Sequence, residues 1–174
     1  MAFSPETARV HTTIPSPLGE LTLVREGEEL VGLYFPHHWY RPPQDALGSR
    51  ADDGFDVVAG QLDEYFAGTR PTFDVPLRLI ASPEQAAVLR LVAQIPYGTT
   101  TTYGTLAREL RITAKDLGAL MGRNPLCILI PCHRVIGATG NLTGYAGGIA
   151  RKRALLELEH ALAPEPSQLL LWSS

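Results

Sequence analysis

Ile128-Leu129-Ile130-Pro131-Cys132-His133-Arg134-Val135 begins as an apolar, strand-like run, stops at a proline, and delivers a cysteine with an imidazole and a guanidinium beside it. A base and a cation are what a thiol needs to become a thiolate, the nucleophilic form. A cysteine next to an apolar run is ordinarily a buried core residue, and Cys127, inside the run, reads as one. Cys132 differs, because Pro131 ends any ladder pairing and His133-Arg134 brings polarity and charge. Successive side chains of a regular strand point to opposite faces. Direct pairing of Cys132 with His133 therefore requires a turn over 131–134, or a bridging water.

Upstream, Asn124-Pro125 reads as a helix terminator, with the Asn also placed to brace the neighbouring loop. Two short helices precede it. Thr102 caps one carrying Leu106, Ala107 and Leu110; Thr113, with Asp116 three residues on, caps another carrying Leu117, Leu120 and Met121. Only Arg111-Ile112 separates them, which predicts a helix-turn-helix. Before these, Ser82-Pro83-Glu84-Gln85 is a helix start, with Val88, Leu89 and Val92 as the buried stripe and Pro96-Tyr97-Gly98 as the stop. Downstream, Gly144-Tyr145-Ala146-Gly147-Gly148 lets backbone come close to a guest and offers an aromatic face, which suits a flat heteroaromatic ring. The last helix runs from Ala150 to about Leu162, closed by Pro164 and Pro166. On it, Arg151-Lys152-Arg153 reads as a solvated or phosphate-meeting cluster. Glu159 falls on the exposed-looking side, where a solvated carboxylate is the default.

The first third of the chain reads as strands. Leu18–Val24 and Leu30–Phe35 flank a polar Glu26–Glu29 turn, a hairpin pattern. Residues 36–54, rich in Pro, Gly and Asp, read as loop; Val58, Leu62, Tyr65 and Phe66 then recur at helical spacing before Gly68. Thr72 to Leu77 offers one more short strand. With a linker near 78–82, the expectation is an α+β protein of two domains: residues 1–80 a small structural α/β domain, residues 81–174 a mainly helical domain holding Cys132.

Composition narrows the class. The chain has 174 residues, 45% hydrophobic, and no apolar run near the ~20 residues a membrane span needs. No secretory signal pattern opens it, and two cysteines at this spacing form neither a disulfide framework nor a metal site, so a cytoplasmic home is expected. His37-His38 has no further ligand at metal spacing, and His11 and His160 read as structural, so no metal is expected. The net charge of −3 conceals an asymmetry: residues 1–89 hold 6 Lys/Arg against 13 Asp/Glu, residues 90–174 hold 9 against 5. The basic half carries Cys132, compatible with a DNA-facing C-terminal domain.

Taken together, the Pro-Cys-His-Arg segment, Asn124-Pro125 upstream and Gly144–Gly148 downstream closely resemble the active-site signature of the O6-alkylguanine-DNA alkyltransferases, a likeness running from about Val10 to about Ala161. The resemblance implies a ribonuclease H-like N-terminal domain and a helix-turn-helix that enters the minor groove. It further implies base flipping and irreversible, once-only transfer of the methyl of O6-methylguanine, and also of O4-methylthymine, to Cys132. His133 matches the base acting through a water, Glu159 the carboxylate orienting it, Asn124 the brace of the turn. Tyr103 matches the tyrosine that rotates the 3′ phosphate and protonates guanine N3. Tyr145, Ala146, Gly147 and Gly148 match the guanine-pocket loop, and Lys152 a lysine near it. Thr102, Tyr103, Gly104, Lys115, Arg123 and Arg134 are the expected DNA contacts. Lys115 is a departure, since the family usually has an arginine there to fill the space of the flipped base. The implied partner is double-stranded DNA containing O6-alkylguanine, bound by a monomer with no cofactor, cooperative binding being left open. The competing reading is a non-catalytic module that recognises alkylated DNA; such proteins replace the cysteine, which this chain keeps.

Overall fold

In the computed structural model, which describes residues 8–162, the alternating N-terminal stretches form a sheet. Strands β1 (Arg9–Ile14), β2 (Leu21–Glu26), β3 (Glu29–Tyr34) and the two-residue β4 (Ser49–Arg50) lie in the order β3-β2-β1-β4. β2 and β3 are the expected hairpin, turning at Gly27, whose φ of 60° is left-handed. β1 was not expected, because its central residues are polar. It is antiparallel to β2 and parallel to β4, and its buried His11 and Thr12 are satisfied by the Gly48 carbonyl at 3.0 Å and Asp52 Oδ1 at 2.9 Å.

Helix α1 (Asp56–Phe66) buries Val58, Leu62 and Tyr65 and ends before Gly68, as its spacing predicts. The strand expected over Thr72–Leu77 does not form. Pro76 has no N–H to offer a ladder, and the segment makes one parallel bridge, Leu77 beside Leu30.

In the second half, Ser82 caps α2 (Pro83–Val92), accepting from the Gln85 N–H at 3.2 Å. Thr102 caps α3 (Tyr103–Leu110) and Thr113 caps α4 (Ala114–Met121), each accepting from the N–H three residues on, at 3.2 and 3.0 Å. Arg111, at φ 57°, makes the turn between them. Just before α3, β5 (Thr101–Thr102) pairs in parallel with β6 (Val135–Ile136), tying the start of α3 to the chain just past Cys132.

Two expectations fail. The run Leu126–Ile130 is a series of turns rather than a strand; Leu126 bridges Leu33, and buried Ile128 reverses the chain at φ 70°. Helix α5 (Ile149–Leu158) is about one turn shorter than the apolar spacing implies. His160 adopts φ 56°, and Glu159 becomes the helix C-cap. A single apolar cluster joins Leu21, Leu23, Leu33 and Leu62 to Val88, Leu89, Leu117, Leu126 and Leu155. Each such side chain contributes about 1.5–3 kcal/mol on burial, so the two halves stabilise one another.

Candidate active site

The turn that the strand argument required is present. Cys132–Arg134 forms a single 3₁₀ turn, with the Arg134 N–H bonded to the Pro131 carbonyl at 3.0 Å. It sets Cys132 on the wall of a cavity and buries His133 completely behind it. Asn124, itself buried, spans the turn. Its Nδ2 donates to the Ile130 carbonyl at 2.9 Å and to Cys132 Sγ at 3.3 Å, while its Oδ1 accepts from the Leu126 N–H at 2.9 Å.

Glu159 is a hub, not the solvated carboxylate its helical position implied; it is 2% exposed. With α5 stopping at Leu158, the Glu159 side chain turns into the core. Its Oε1 accepts from His133 Nε2 at 2.8 Å, from Tyr65 Oη at 2.7 Å and from Arg134 Nη2 at 2.9 Å, and its Oε2 accepts from Arg134 Nε at 2.9 Å. Burial alone would raise its pKa, but the bonds from His133 and Arg134 outweigh it and hold it at about 2. Facing that carboxylate, neutral His133 carries its proton on Nε2. Burial keeps its pKa low, against the pull of Glu159. His133 Nδ1 is buried and has no hydrogen-bond partner among the described residues. It is left as a free acceptor on the residue next to Cys132.

Lys152 is fully buried, correcting the solvated-face reading of Arg151-Lys152-Arg153. Its Nζ donates to the Val135 carbonyl at 2.6 Å, the Thr143 carbonyl at 3.1 Å and Tyr103 Oη at 3.4 Å. Burial lowers its pKa to about 8, with the negative charge of Cys132 pulling the other way. Tyr103 Oη donates to the carbonyls of Thr143 and Gly144, at 2.9 and 3.2 Å, and burial pushes its pKa to about 12. Arg151 grips the Leu18, Pro36 and Gly147 carbonyls, which docks α5 onto the N-terminal half.

The Cys132 thiol is depressed below its ordinary pKa. A hydrogen bond from Cys127 is the leading cause; burial opposes it, and Asn124 and the charge of Lys152 assist. Asn124 donates to this sulfur, and Lys152 is the cation that favours its charge.

Cys132, Tyr103, Lys115, Tyr145 and Ala146 line a cavity of about 440 Å³, together with Ala114, Gly118, Met121, Gly122, Thr143, Gly144 and Trp39. That is the size range of small-molecule sites. Tyr145 and Ala146 are buried, and Gly147 lies so close to Phe35 that a Cβ there would sit 2.5 Å from the ring. Gly148 opens α5 at φ 93°. Gly147, Gly148, Asn124, His133, Glu159 and Lys152 stand behind the wall rather than on it. Thr102 and Gly104 flank Tyr103 at the N-terminus of α3, Lys115 is exposed in the first turn of α4, and Arg123 is exposed just beyond its end. Arg134, expected among the DNA contacts, faces inward instead. It is buried, with its guanidinium committed to Glu159 and, through Nη1 at 2.6 Å, to the Ile95 carbonyl. Trp39 and Met121 were missed. The Trp39-Tyr40 pair in a Pro-rich loop was the available signal, but only its neighbouring histidines drew attention.

The fold and site define a class: an α+β protein whose mainly helical C-terminal half sets a cysteine with a lowered pKa on the wall of a cavity. Residues 10–79 match the 6-O-methylguanine DNA methyltransferase ribonuclease-like domain, and residues 83–161 the DNA binding domain of the same family. The chain belongs to the 6-O-methylguanine DNA methyltransferase family. It is similar to the methylated-DNA–protein-cysteine methyltransferase of Mycobacterium bovis, 45% identical over 157 residues that cover 88% of this chain and 94% of that one. The Methanosarcina mazei protein of the same name is 38% identical over 150 residues, 84% of this chain and 94% of the relative. Among solved structures, Mycobacterium tuberculosis OGT in complex with DNA superposes with a TM-score of 0.81 at 42% identity, covering 92% of this chain and 99% of that one.

Proposed function

We propose that Cys132 is the acceptor in single-turnover repair of O6-methylguanine in double-stranded DNA, and that the groups behind it ready the sulfur. The activity is that of the family, transfer of a methyl group from DNA to a protein cysteine in direct-reversal repair. The observation that carries the assignment of Cys132 is the arrangement just described: a cavity-lining thiol with donors at the sulfur and an unpartnered His133 Nδ1 next door.

In this reading His133 Nδ1 takes the Cys132 proton through one water, and Glu159 balances the imidazolium that forms. The thiolate attacks the alkyl carbon; the S–C bond forms as the C–O6 bond breaks, and the electron pair stays with guanine. Tyr103 gives guanine N3 a proton, and Lys152, donating toward the tyrosine oxygen, steadies the phenolate left behind. The product thioether is a dead end, so no cofactor regenerates the protein.

The pair α3–α4 acts as a helix-turn-helix in the minor groove, with Thr102, Tyr103 and Gly104 at the phosphates. The base is flipped into the cavity, where Tyr145 and Ala146 receive it, while Lys115 and Arg123 hold the strand. O4-methylthymine is a second substrate of the same pocket. The protein works as a monomer in the cytoplasm, where thiols stay reduced; among the described residues no helix is long and apolar enough to cross a membrane.

Incubation with a duplex carrying one O6-methylguanine tests the reading by peptide mass spectrometry. One methyl per protein, confined to the Cys132 peptide and absent from Cys132→Ser, is the expected result. Lesion binding without any increment would favour a damage-recognition module instead.

A further inference from the structure

Among the described residues, Trp39 is the one wall of the cavity supplied by the N-terminal half of the chain. Its surroundings hold it in place. The Trp39 backbone N–H donates to the Ala146 carbonyl at 2.9 Å, pinning the loop to the pocket segment. On one side His38 is buried, edge-on to Tyr34 and stacked against Phe35. On the other, the Arg123 guanidinium lies 5.0 Å from the centre of the Tyr40 ring, tying the loop to the end of α4. His37 and Tyr40 both take left-handed conformations, at φ 55° and 58°. Such geometry in non-glycine residues persists where the surroundings over-determine it. The result is a braced turn that presents an indole, 54% exposed, to the cavity that Cys132 also lines.

We infer that Trp39 is a specificity-determining residue, an aromatic wall that favours guanines whose O6 substituent is large and flat, such as benzyl, over those bearing methyl. The inference rests on the proposed function and names the adducts that pocket prefers. The cavity of about 440 Å³ leaves room beyond a methylated purine. Met121, which also lines it, is unbranched and accommodates irregular shapes. An arene held between indole and cavity gains stacking as well as burial; a methyl group is too small to reach far onto the indole face. Because the indole is half exposed without a substrate, the gain appears only when a substituent covers it.

The test compares second-order rates of Cys132 alkylation by duplexes carrying O6-methylguanine or O6-benzylguanine, read by mass spectrometry on the full chain, Trp39→Ala and Trp39→Phe. Trp39→Ala should slow the benzyl reaction roughly tenfold and the methyl reaction much less, while Trp39→Phe restores most of the difference. Equal losses on both duplexes would mean that the residue only supports the loop, and unchanged benzyl rates that it plays no part; either overturns the inference. Methyl transfer by the unsubstituted chain is the internal control. Its absence would overturn the proposed function and Trp39's role together, whereas its presence with an unaltered benzyl-to-methyl ratio removes Trp39's role alone.

Discussion

Cys127 and Cys132 stand five residues apart on one apolar run, and both are buried, yet their chemistry is opposite. Cys127 holds its proton more tightly than a free thiol, chiefly because the neighbouring Cys132 takes the negative charge in its place and because it is buried; Cys132 gives its proton up more easily. Asn124 shows how the difference arises. It offers its backbone carbonyl to Cys127 Sγ at 3.8 Å and its side-chain N–H to Cys132 Sγ at 3.3 Å. The imidazole nearest Cys127 belongs to His38, whose pKa burial lowers to about 4, so it brings no charge at neutral pH. The cation near Cys132 is Lys152. Burial does not separate the two thiols; the polarity of their partners does.

The sharpest way to break this comparison is at the hub behind Cys132. Glu159→Gln leaves Arg134 buried without a counter-charge and takes from His133 the carboxylate that balances its protonated form. Removing one partner of a buried ion pair costs about 3–5 kcal/mol, so urea unfolding should show that loss. Single-turnover methyl transfer, measured well below the new unfolding midpoint, should fall by about two orders of magnitude. A rate within a factor of three of wild type would show that Cys132 needs no such support. The same hub sets the acid limit. Because the Glu159 pKa falls from 4.5 in the unfolded chain to about 2 in the folded one, its contribution is fully present above pH 4.5 and lost as pH falls toward 2. Chemical unfolding followed across that window should show stability declining with acid, and the decline should be shallower in Glu159→Gln.

Lys152→Met keeps the buried volume and removes the charge. Cys132 then loses its cation, its pKa rises, and transfer near pH 7 should drop roughly tenfold, with part of the loss recovered at higher pH. A pH–rate profile that keeps its wild-type position while the whole curve sinks would instead make Lys152 a support of the Thr143 and Val135 carbonyls only.

The fold was legible where local patterning agrees with tertiary structure: the β2–β3 hairpin from its alternation, and three helix starts from Ser82, Thr102 and Thr113. It was not legible where long-range pairing decides. β1 carries buried polar residues that are satisfied by partners 33 to 40 residues away, Gln44, Gly48 and Asp52. Leu126–Ile130 looked like a strand because a turn buried on all sides is as apolar as one. At the site, Cys132 announced itself through its neighbours, but the surroundings of Glu159 and Arg134 depended on α5 ending one turn early at His160. No hydrophobic period encodes that stop. Lys152 was read as solvated because a lysine satisfied by carbonyls leaves no acidic partner in the sequence to betray it.

The smallest expected effect lies on the Cys127 side. Cys127→Ala removes one donor from the Cys132 sulfur and leaves Asn124 and Lys152 in place, so the nucleophile keeps most of its support. A single hydrogen bond of this kind contributes about 0.5–1.5 kcal/mol, which should move the rising limb of the pH–rate profile upward by about half a unit to one unit. Methyl stoichiometry should stay at one per chain, all of it on Cys132. Cys127→Ser, with a hydroxyl donor at nearly the same position, should bring the limb part of the way back. A limb that does not move in Cys127→Ala would mean that the two thiols titrate independently, with Asn124 and Lys152 alone separating them.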